Sequence, residues 1–440
     1  MKTQMKKRKN VLYSFGICAV ILTAVATGSL HGEAKEQSEP LFSPALCVLA
    51  EDNGMAMAGL VGNSISFDKE DFLRALNIKS ACSIEITEAP AISAGELRVG
   101  NTVLSSGQTV SASNLSLLNY TASSDESTRA TFRFRPEGCG YDIPCEIYLL
   151  SEVNSAPTLE NVPECYLQVS THKNVTLYGT LPCYDPNGDV TRIEIVSYPE
   201  NGTLRLTDKH TGEYTYTPTS GYSGKDSFVY VARDIYGNYS ASKTVSLSVR
   251  KPTVSVKYSD MEGSRAYNSA LCMAEAGIMS GTQVGSQTYF YPEGSVSRGE
   301  FTVMVMQAIG ISEVTDLGKT VFADDAEIPE YMKDYIATAY ELGYVKGLQT
   351  ESGLCFEATR NITRAEAAVM LGNILEISTP TVLPTFKDSA DIPTWAAPSV
   401  YSLNSIGILT PVGGSISATE ELTRADAAEI LTSLLNYIDK

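Results

Sequence analysis

The spacing of apolar and polar positions divides the chain into two regions of different period. From residue 45 to 250, apolar and aromatic residues alternate with polar ones in short runs such as Gly212–Thr217 and Ser227–Val231, bounded by Gly, Pro and Asn. A period of two punctuated by turn residues predicts short, half-buried strands. Beyond Lys251-Pro252 the composition shifts to Ala, Met, Leu and Glu, with apolar residues three and four apart. Ala367, Ala368, Leu371, Ile374 and Leu375 share one helical face, and Ala427, Ala428, Leu431, Leu434 and Leu435 repeat it.

The strand region contains an internal echo. Ile84–Ile86, Pro90 and Gly95–Val99 return as Ile193–Ile195, Pro199 and Gly202–Leu206, and Thr131–Phe134 returns as Ser227–Tyr230. Two β-sandwich modules follow, 35–153 and 154–251, with a join near Asn154–Pro157. Within the first, Phe67–Leu76 reads equally as a short helix.

The helical region is written three times, at 254–311, 320–377 and 385–438, with a repeat of about 60 residues. Each copy begins with an aromatic-x-Asp triplet, at Tyr258–Asp260, Phe322–Asp324 and Phe386–Asp388. Seven residues after each Asp stands a large aromatic: Tyr267, Tyr331 and Trp395, the sole tryptophan. Turns follow at Gly277–Gly281, Gly343–Gly347 and Gly407–Pro411, and then the helix openings Ser297-Arg298-Gly299-Glu300, Thr363-Arg364-Ala365-Glu366 and Thr423-Arg424-Ala425-Asp426.

Much of this motif has a structural reading. Ser297, Thr363 and Thr423 suit helix N-caps, with Glu300, Glu366 and Asp426 closing capping boxes. Capping leaves the arginines unexplained, because a cation at the first helical position opposes the macrodipole. Arg298, Arg364 and Arg424 therefore point to an anion shared with the helix amides, unless each pairs with a neighbouring carboxylate. Tyr267, Tyr331 and Trp395 offer faces for a sugar ring, although spacing alone favours packing in the core. Gly277, Gly281, Gly343, Gly347 and Gly407 turn the chain or let backbone approach a ligand. Asp260, Asp324 and Asp388 are expected to support the site structurally.

Length and charge narrow the classes. The 440 residues imply several domains. Residues 1–34, with a basic start and an apolar stretch from Val11 to about Val25, read as a cleaved secretory signal peptide. Its removal takes away five basic residues and Glu33, moving the formal charge from −18 to −22. That balance disfavours nucleic acid and anionic membranes as partners. No second segment approaches a membrane span. Eight cysteines remain, and in an exported chain they suggest disulfides, first Cys165–Cys183 and Cys139–Cys145, or buried thiols. His172 and His210 are the only histidines left and have no metal-binding spacing, and neither G-x-S-x-G nor H-E-x-x-H occurs, so no enzyme is expected. No cofactor is expected either. Calcium is the one ion that Asp185, Asp189 and Asp234 would suit, although turns favour the same residues.

Taken together, the triplets, aromatics, glycine turns and T-R-A-E-like openings resemble the S-layer homology family across about two fifths of the chain. Gly179–Leu181, Asp185–Asp189, Gly202–Leu204, Tyr214–Pro218, Gly221–Gly224 and Asp226–Tyr230 make the second module resemble bacterial cadherin-like and immunoglobulin-like repeats. The first module matches loosely. The resemblance implies Ig/cadherin-like β-sandwich modules followed by an all-α, pseudo-threefold repeat domain. It implies a secreted cell-surface protein of the S-layer or associated with it, bound noncovalently to secondary cell-wall polysaccharide that is pyruvylated in the family pattern. Arginines, aromatics and glycines would line grooves between repeats, and self-association in a surface lattice is a further expectation. The alternatives are an anchored adhesin, or a wall-associated carbohydrate-active enzyme with catalytic residues in 35–150. Pro411 stands where the family has glycine, and Glu357-Ala358 and Ser417-Ala418 replace a favoured proline that Pro292 keeps. The middle copy, Arg364 with Gly343 and Gly347, is the best formed, and the third departs most.

Overall fold

The computed structural model describes residues 54–438 apart from 77, 125–126, 312–317, 382 and 385. The signal-peptide reading lies outside the described residues. Among them no helix is long and apolar enough to cross a membrane.

The echo in the strand region is real in three dimensions. In the first module, strands β1 (Met55–Leu60), β3 (Ile84–Glu88), β6 (Gln108–Val110), β8 (Arg129–Pro136) and β9 (Ile143–Leu150) form one sheet, ordered β1-β9-β8-β3-β6. The facing sheet is β2-β7-β4-β5, from β2 (Ile65–Ser66), β4 (Gly95–Val99), β5 (Thr102–Val103) and β7 (Leu118–Ala122). In the second module β10 (Gln168–His172), β12 (Thr191–Ser197), β15 (Gly224–Asp234) and β16 (Lys243–Arg250) are ordered β10-β16-β15-β12. They face β11-β14-β13, from β11 (Leu177–Thr180), β13 (Gly202–Asp208) and β14 (Glu213–Pro218). In both modules the first strand runs parallel to the last, as β1 with β9 and β10 with β16.

Alternation produces these layers. Along β8, Ala130, Phe132 and Phe134 point inward while Arg129, Thr131 and Arg133 do not, and along β15 Phe228 and Tyr230 do the same. Phe67–Leu76 settles as a helix, α1 (Lys69–Leu76), whose Phe72 and Leu76 stand one turn apart and enter the core. The Phe72 ring meets Phe67 and Phe134 at 6.0 and 5.5 Å. A single helical turn, α2 (Glu164–Leu167), leads into β10.

The last region is helical: α3 (Tyr267–Glu275), α4 (Arg298–Ala308), α5 (Glu330–Glu341), α6 (Arg364–Leu375), α7 (Ala397–Ser405) and α8 (Arg424–Ile438). The all-α expectation is corrected. Hairpins β17 (Thr282–Val284) with β18 (Gln287–Tyr289) and β19 (Leu348–Thr350) with β20 (Gly353–Cys355) join the helices of the first two repeats. Their three-residue strands are too short to register as a period of two.

Helices pair between repeats, α4 with α5, α6 with α7, and α8 back onto α3. The loops preceding α4, α6 and α8 are linked in the same cyclic way. Ile362 N–H donates to Val296 O at 3.0 Å, Leu422 N–H to Ile362 O at 2.8 Å, and Val296 N–H to Leu422 O at 3.0 Å. One apolar core runs through all three repeats, including Phe301, Ile336, Leu371, Leu403 and Leu431.

No disulfide forms among the described cysteines, so the Cys165–Cys183 and Cys139–Cys145 pairings are corrected. Cys165 Sγ instead donates to Ile406 O in the third repeat at 3.2 Å, while Cys183 Sγ lies 3.1 Å from Thr191 Oγ1. The second module also holds the repeats through buried His172. Its Nδ1 lies 2.8 Å from Asn268 Oδ1 and its Nε2 lies 3.2 Å from Glu275 Oε2.

Candidate functional site

The helix openings are capped as the spacing predicts. Glu300 N–H donates to Ser297 Oγ at 3.2 Å, Glu366 N–H to Thr363 Oγ1 at 3.3 Å and Asp426 N–H to Thr423 Oγ1 at 3.1 Å, and each acid reaches back to its cap's N–H. The preceding amides are also taken. Arg298 N–H donates to Arg360 O, Gly299 N–H to Ala358 O, Arg364 N–H to Glu420 O, Ala365 N–H to Ala418 O, Arg424 N–H to Gly294 O and Ala425 N–H to Pro292 O, all at 2.7–2.9 Å. An anion shared with helix amides is therefore corrected: the neighbouring repeat's carbonyls occupy them, and only the guanidinium side chains remain for a ligand.

The aspartates build the loops that carry those carbonyls. Asp260 accepts from the amides of Phe290 and Tyr291, Asp324 from Phe356 and Glu357, and Asp388 from Ile416 and Ser417, at 2.7–3.1 Å. Tyr291, Glu357 and Ser417 have φ of 57, 59 and 54°, a left-handed geometry that charge-assisted bonds hold open in all three copies. The expected supporting role of these aspartates is thus a backbone clamp.

Each arginine reaches the following repeat. Arg298 is buried, its Nη2 donates to Lys346 O at 2.7 Å, and its guanidinium lies 4.9 Å from the Phe356 ring centre. Arg424 donates from Nε to Phe290 O and from Nη2 to Ser280 O, both at 2.9 Å, and lies 4.9 Å from the Phe290 ring centre. Arg364 behaves differently, pairing through Nη2 with Asp426 Oδ1 at 2.7 Å. The grouping of Arg364 with Gly343 and Gly347 is corrected, since that turn lies beside Arg298. The helix pairing between repeats moves every arginine one repeat onward.

A groove of about 250 Å³ opens beside Arg298, lined among others by Lys346, Gly347, Glu366, Asn373 and Trp395. Glu366 is held by Arg360, at 2.7 Å from Nη2, and lies 3.9 Å from Arg298 Nη1. Burial pushes the Glu366 carboxyl up, but Arg360 and the Thr363 amide outweigh it and hold the group below its ordinary value. Burial lowers both Arg298 and Arg424, with nearby carboxylates opposing it.

The aromatic positions divide. Tyr331 and Trp395 are 65% and 59% exposed, which corrects the core reading for both, while Tyr267 is half-buried against the core. Trp395 sits at the rim because α7 begins at Ala397 and packs beside α6, bringing a third repeat to the Arg298 groove. Gly277, Gly343 and Gly407 take φ of 69–75° after their helices. A Cβ on Gly281 or Gly347 would meet the adjoining hairpin and the ring of Tyr258 or Phe322 at 2.5–2.8 Å, so these two serve chain packing. Spacing did not disclose Phe290, Phe356, Arg360 or Lys346. The two phenylalanines stand in matching positions and form a readable column, whereas Arg360 occurs in one copy alone.

Two further features lie in the β modules. Carboxylate oxygens of Asp185, Asp189 and Asp234 come within 4.8 Å of one another. Asp185 is 7% and Asp234 2% exposed, and Oδ2 of Asp185 and of Asp189 is buried without a partner. Burial first, and then the charges of Asp185 and Asp234, push the Asp189 carboxyl up. The second feature is a 1160 Å³ groove between the modules, lined by Arg74, Ile195, Tyr198, Arg205 and Tyr239 among others.

Comparison with known families matches residues 154–248 to a bacterial Ig domain and residues 257–302 and 321–368 to the S-layer homology domain. An amylopullulanase of Thermoanaerobacterium thermosulfurigenes is 32% identical over 136 residues, covering 30% of this chain and 7% of that protein. Exoglucanase XynX of Acetivibrio thermocellus is 26% identical over 265 residues, 59% of this chain and 21% of the relative. The chain thus spans about a fifth or less of the length of these relatives. Fibronectin(III)-like modules of Clostridium thermocellum CbhA align with a TM-score of 0.20 at 11% identity, covering 47% of this chain and 95% of theirs.

Proposed function

We propose that this cell-surface protein, which carries a bacterial Ig domain followed by S-layer homology domains, is held to the wall by anionic polysaccharide seated in grooves between its repeats. The observation that carries this reading is the Arg298 groove, where a buried guanidinium donates to a backbone carbonyl, its neighbouring carboxylate Glu366 is held more closely by Arg360, and an exposed tryptophan stands at the rim. A carboxylate on a sugar, such as a pyruvate ketal, fits that pairing of guanidinium and aromatic face. The cyclic hydrogen bonds among the three loops support a pseudo-threefold arrangement of the repeats. The β modules would stand outward from this anchor, and array formation by the displayed protein is part of the proposal.

The test is capture by purified walls. The mature chain binds native walls and loses binding once the pyruvylated polymer is extracted; capture that survives extraction sinks the reading. Binding rather than catalysis is the role we assign. The names of the relatives favour a carbohydrate-active enzyme as the competing reading, which release of sugar from wall glucans by the purified chain would establish. The groove between the β modules favours an adhesin as the other alternative. We also infer that Asp185, Asp189 and Asp234 suit calcium, a hard cation taking oxygen ligands, because two of their buried oxygens lack any other partner.

A further inference from the structure

We infer that the three grooves are not equivalent, and that the one built around Arg364 takes no anionic sugar, leaving the Arg298 and Arg424 grooves to carry the wall contact. The inference rests on the anchoring reading above and sharpens it to particular sites.

Four differences converge on the Arg364 groove. First, Arg364 already forms a 2.7 Å ion pair with Asp426, whereas no carboxylate among the described residues lies within 4.0 Å of the Arg424 guanidinium. The cause lies six residues before the acid. Arg360 occupies that place in the second repeat and draws Glu366 to itself, while Glu420 occupies it in the third and leaves Asp426 to Arg364. Second, Ile416 stands where Phe356 and Phe290 lie beneath the other two guanidiniums, so Arg364 loses the ring that fixes its plane. Third, Glu429 replaces the positions of Val369 and Val303, and its carboxylate meets Arg265 at 3.3 Å. An ion pair thus stands where the other two repeats carry a valine side chain. Fourth, Pro411 replaces Gly347 and Gly281 in the turn.

A ligand carboxylate would compete with Asp426 for Arg364, a 2.7 Å ion pair closer than the 3.9 Å approach of Glu366 to Arg298 and without a counterpart at Arg424 among the described residues. The departures of the third repeat therefore disable the arginine of the second.

The test compares Arg298→Gln, Arg364→Gln and Arg424→Gln in the full mature chain, by capture on native walls and by calorimetry with a methyl hexopyranoside carrying a pyruvate ketal. Two sugars per chain are expected. Arg298→Gln and Arg424→Gln each weaken wall capture by about tenfold or more, and Arg364→Gln stays within about twofold of the parent. Three sugars per chain, or a loss on Arg364→Gln equal to the other two, overturns the inference and leaves wall anchoring standing. Parent-like capture by all three variants removes anchoring through these grooves altogether. Should Arg364→Gln fail to fold, the calorimetric count on the unsubstituted chain decides.

Discussion

Arg298 and Lys346 lie in different repeats, yet the guanidinium Nη2 of the first donates to the backbone carbonyl of the second at 2.7 Å. The groove beside Arg298 is consequently a shared object. The first repeat supplies the cation, the second supplies the turn and a helix, and the third supplies the rim aromatic.

Trp395 makes that groove observable. It is the only tryptophan and stands 59% exposed beside Arg298, so polymer binding should shift its emission to shorter wavelength. Fluorescence titration with solubilised wall polysaccharide checks this. An emission maximum that stays unchanged while the chain binds would place the ligand elsewhere. Trp395→Ala should weaken capture by roughly 1–3 kcal/mol, the scale of burying or losing one large side chain.

The aspartate clamps predict a stability hierarchy. Asp324→Ala removes the acceptor for the Phe356 and Glu357 amides and releases a left-handed Glu357. A loss of roughly 1.5–3 kcal/mol is expected, the range for hydrogen bonds to a charged group. Thermal unfolding measures it, and replacing Glu357 with Gly, which adopts positive φ freely, should offset part of it.

Calcium should act at the seam between the β modules. Asp234 accepts from Asn154 Nδ2 at 2.7 Å, which ties the linker to the carboxylate cluster. Added calcium should raise the unfolding temperature and reduce cleavage near Asn154, whereas Asp185→Asn should abolish both effects. A calcium response that persists in Asp185→Asn would move the ion to another place.

The junction between the second module and the repeats should weaken in acid. Burial pushes Glu275 up, but the Thr253 amide and His172 outweigh it and hold its carboxyl below the ordinary value. A depressed carboxyl contributes stability above its unfolded value and loses it as pH falls through the folded one, so the loss should appear below about pH 4. Arg250 and Cys272 also face this junction. Proteolysis near Lys251 across a pH series reads the effect, and Glu275→Gln should flatten it.

The sequence made the modules and repeats readable because their signals are local. Alternation along β8 and β15, capping at Ser297, Thr363 and Thr423, and the recurring Asp260, Asp324 and Asp388 all arise within a few residues. The site was less legible because its partners come from different copies. Nothing near Arg364 in sequence announces Asp426, 62 residues away, and the aromatic at position 395 could not be assigned to the Arg298 groove without the packing of α7 beside α6. The two hairpins were missed because three residues carry no period.

The return of α8 onto α3 also defines how a pull on the outer modules is carried. Chain leaving the second module enters the repeats just before α3, while Cys165 and Glu213 of that module rest on Ile406 and Gly413 of the third repeat. Tension is therefore applied to both sides of the one place where first and last repeats meet without a connecting chain. The second module acts as a clasp across that seam, and a tug that would open the ring must first shear the clasp away.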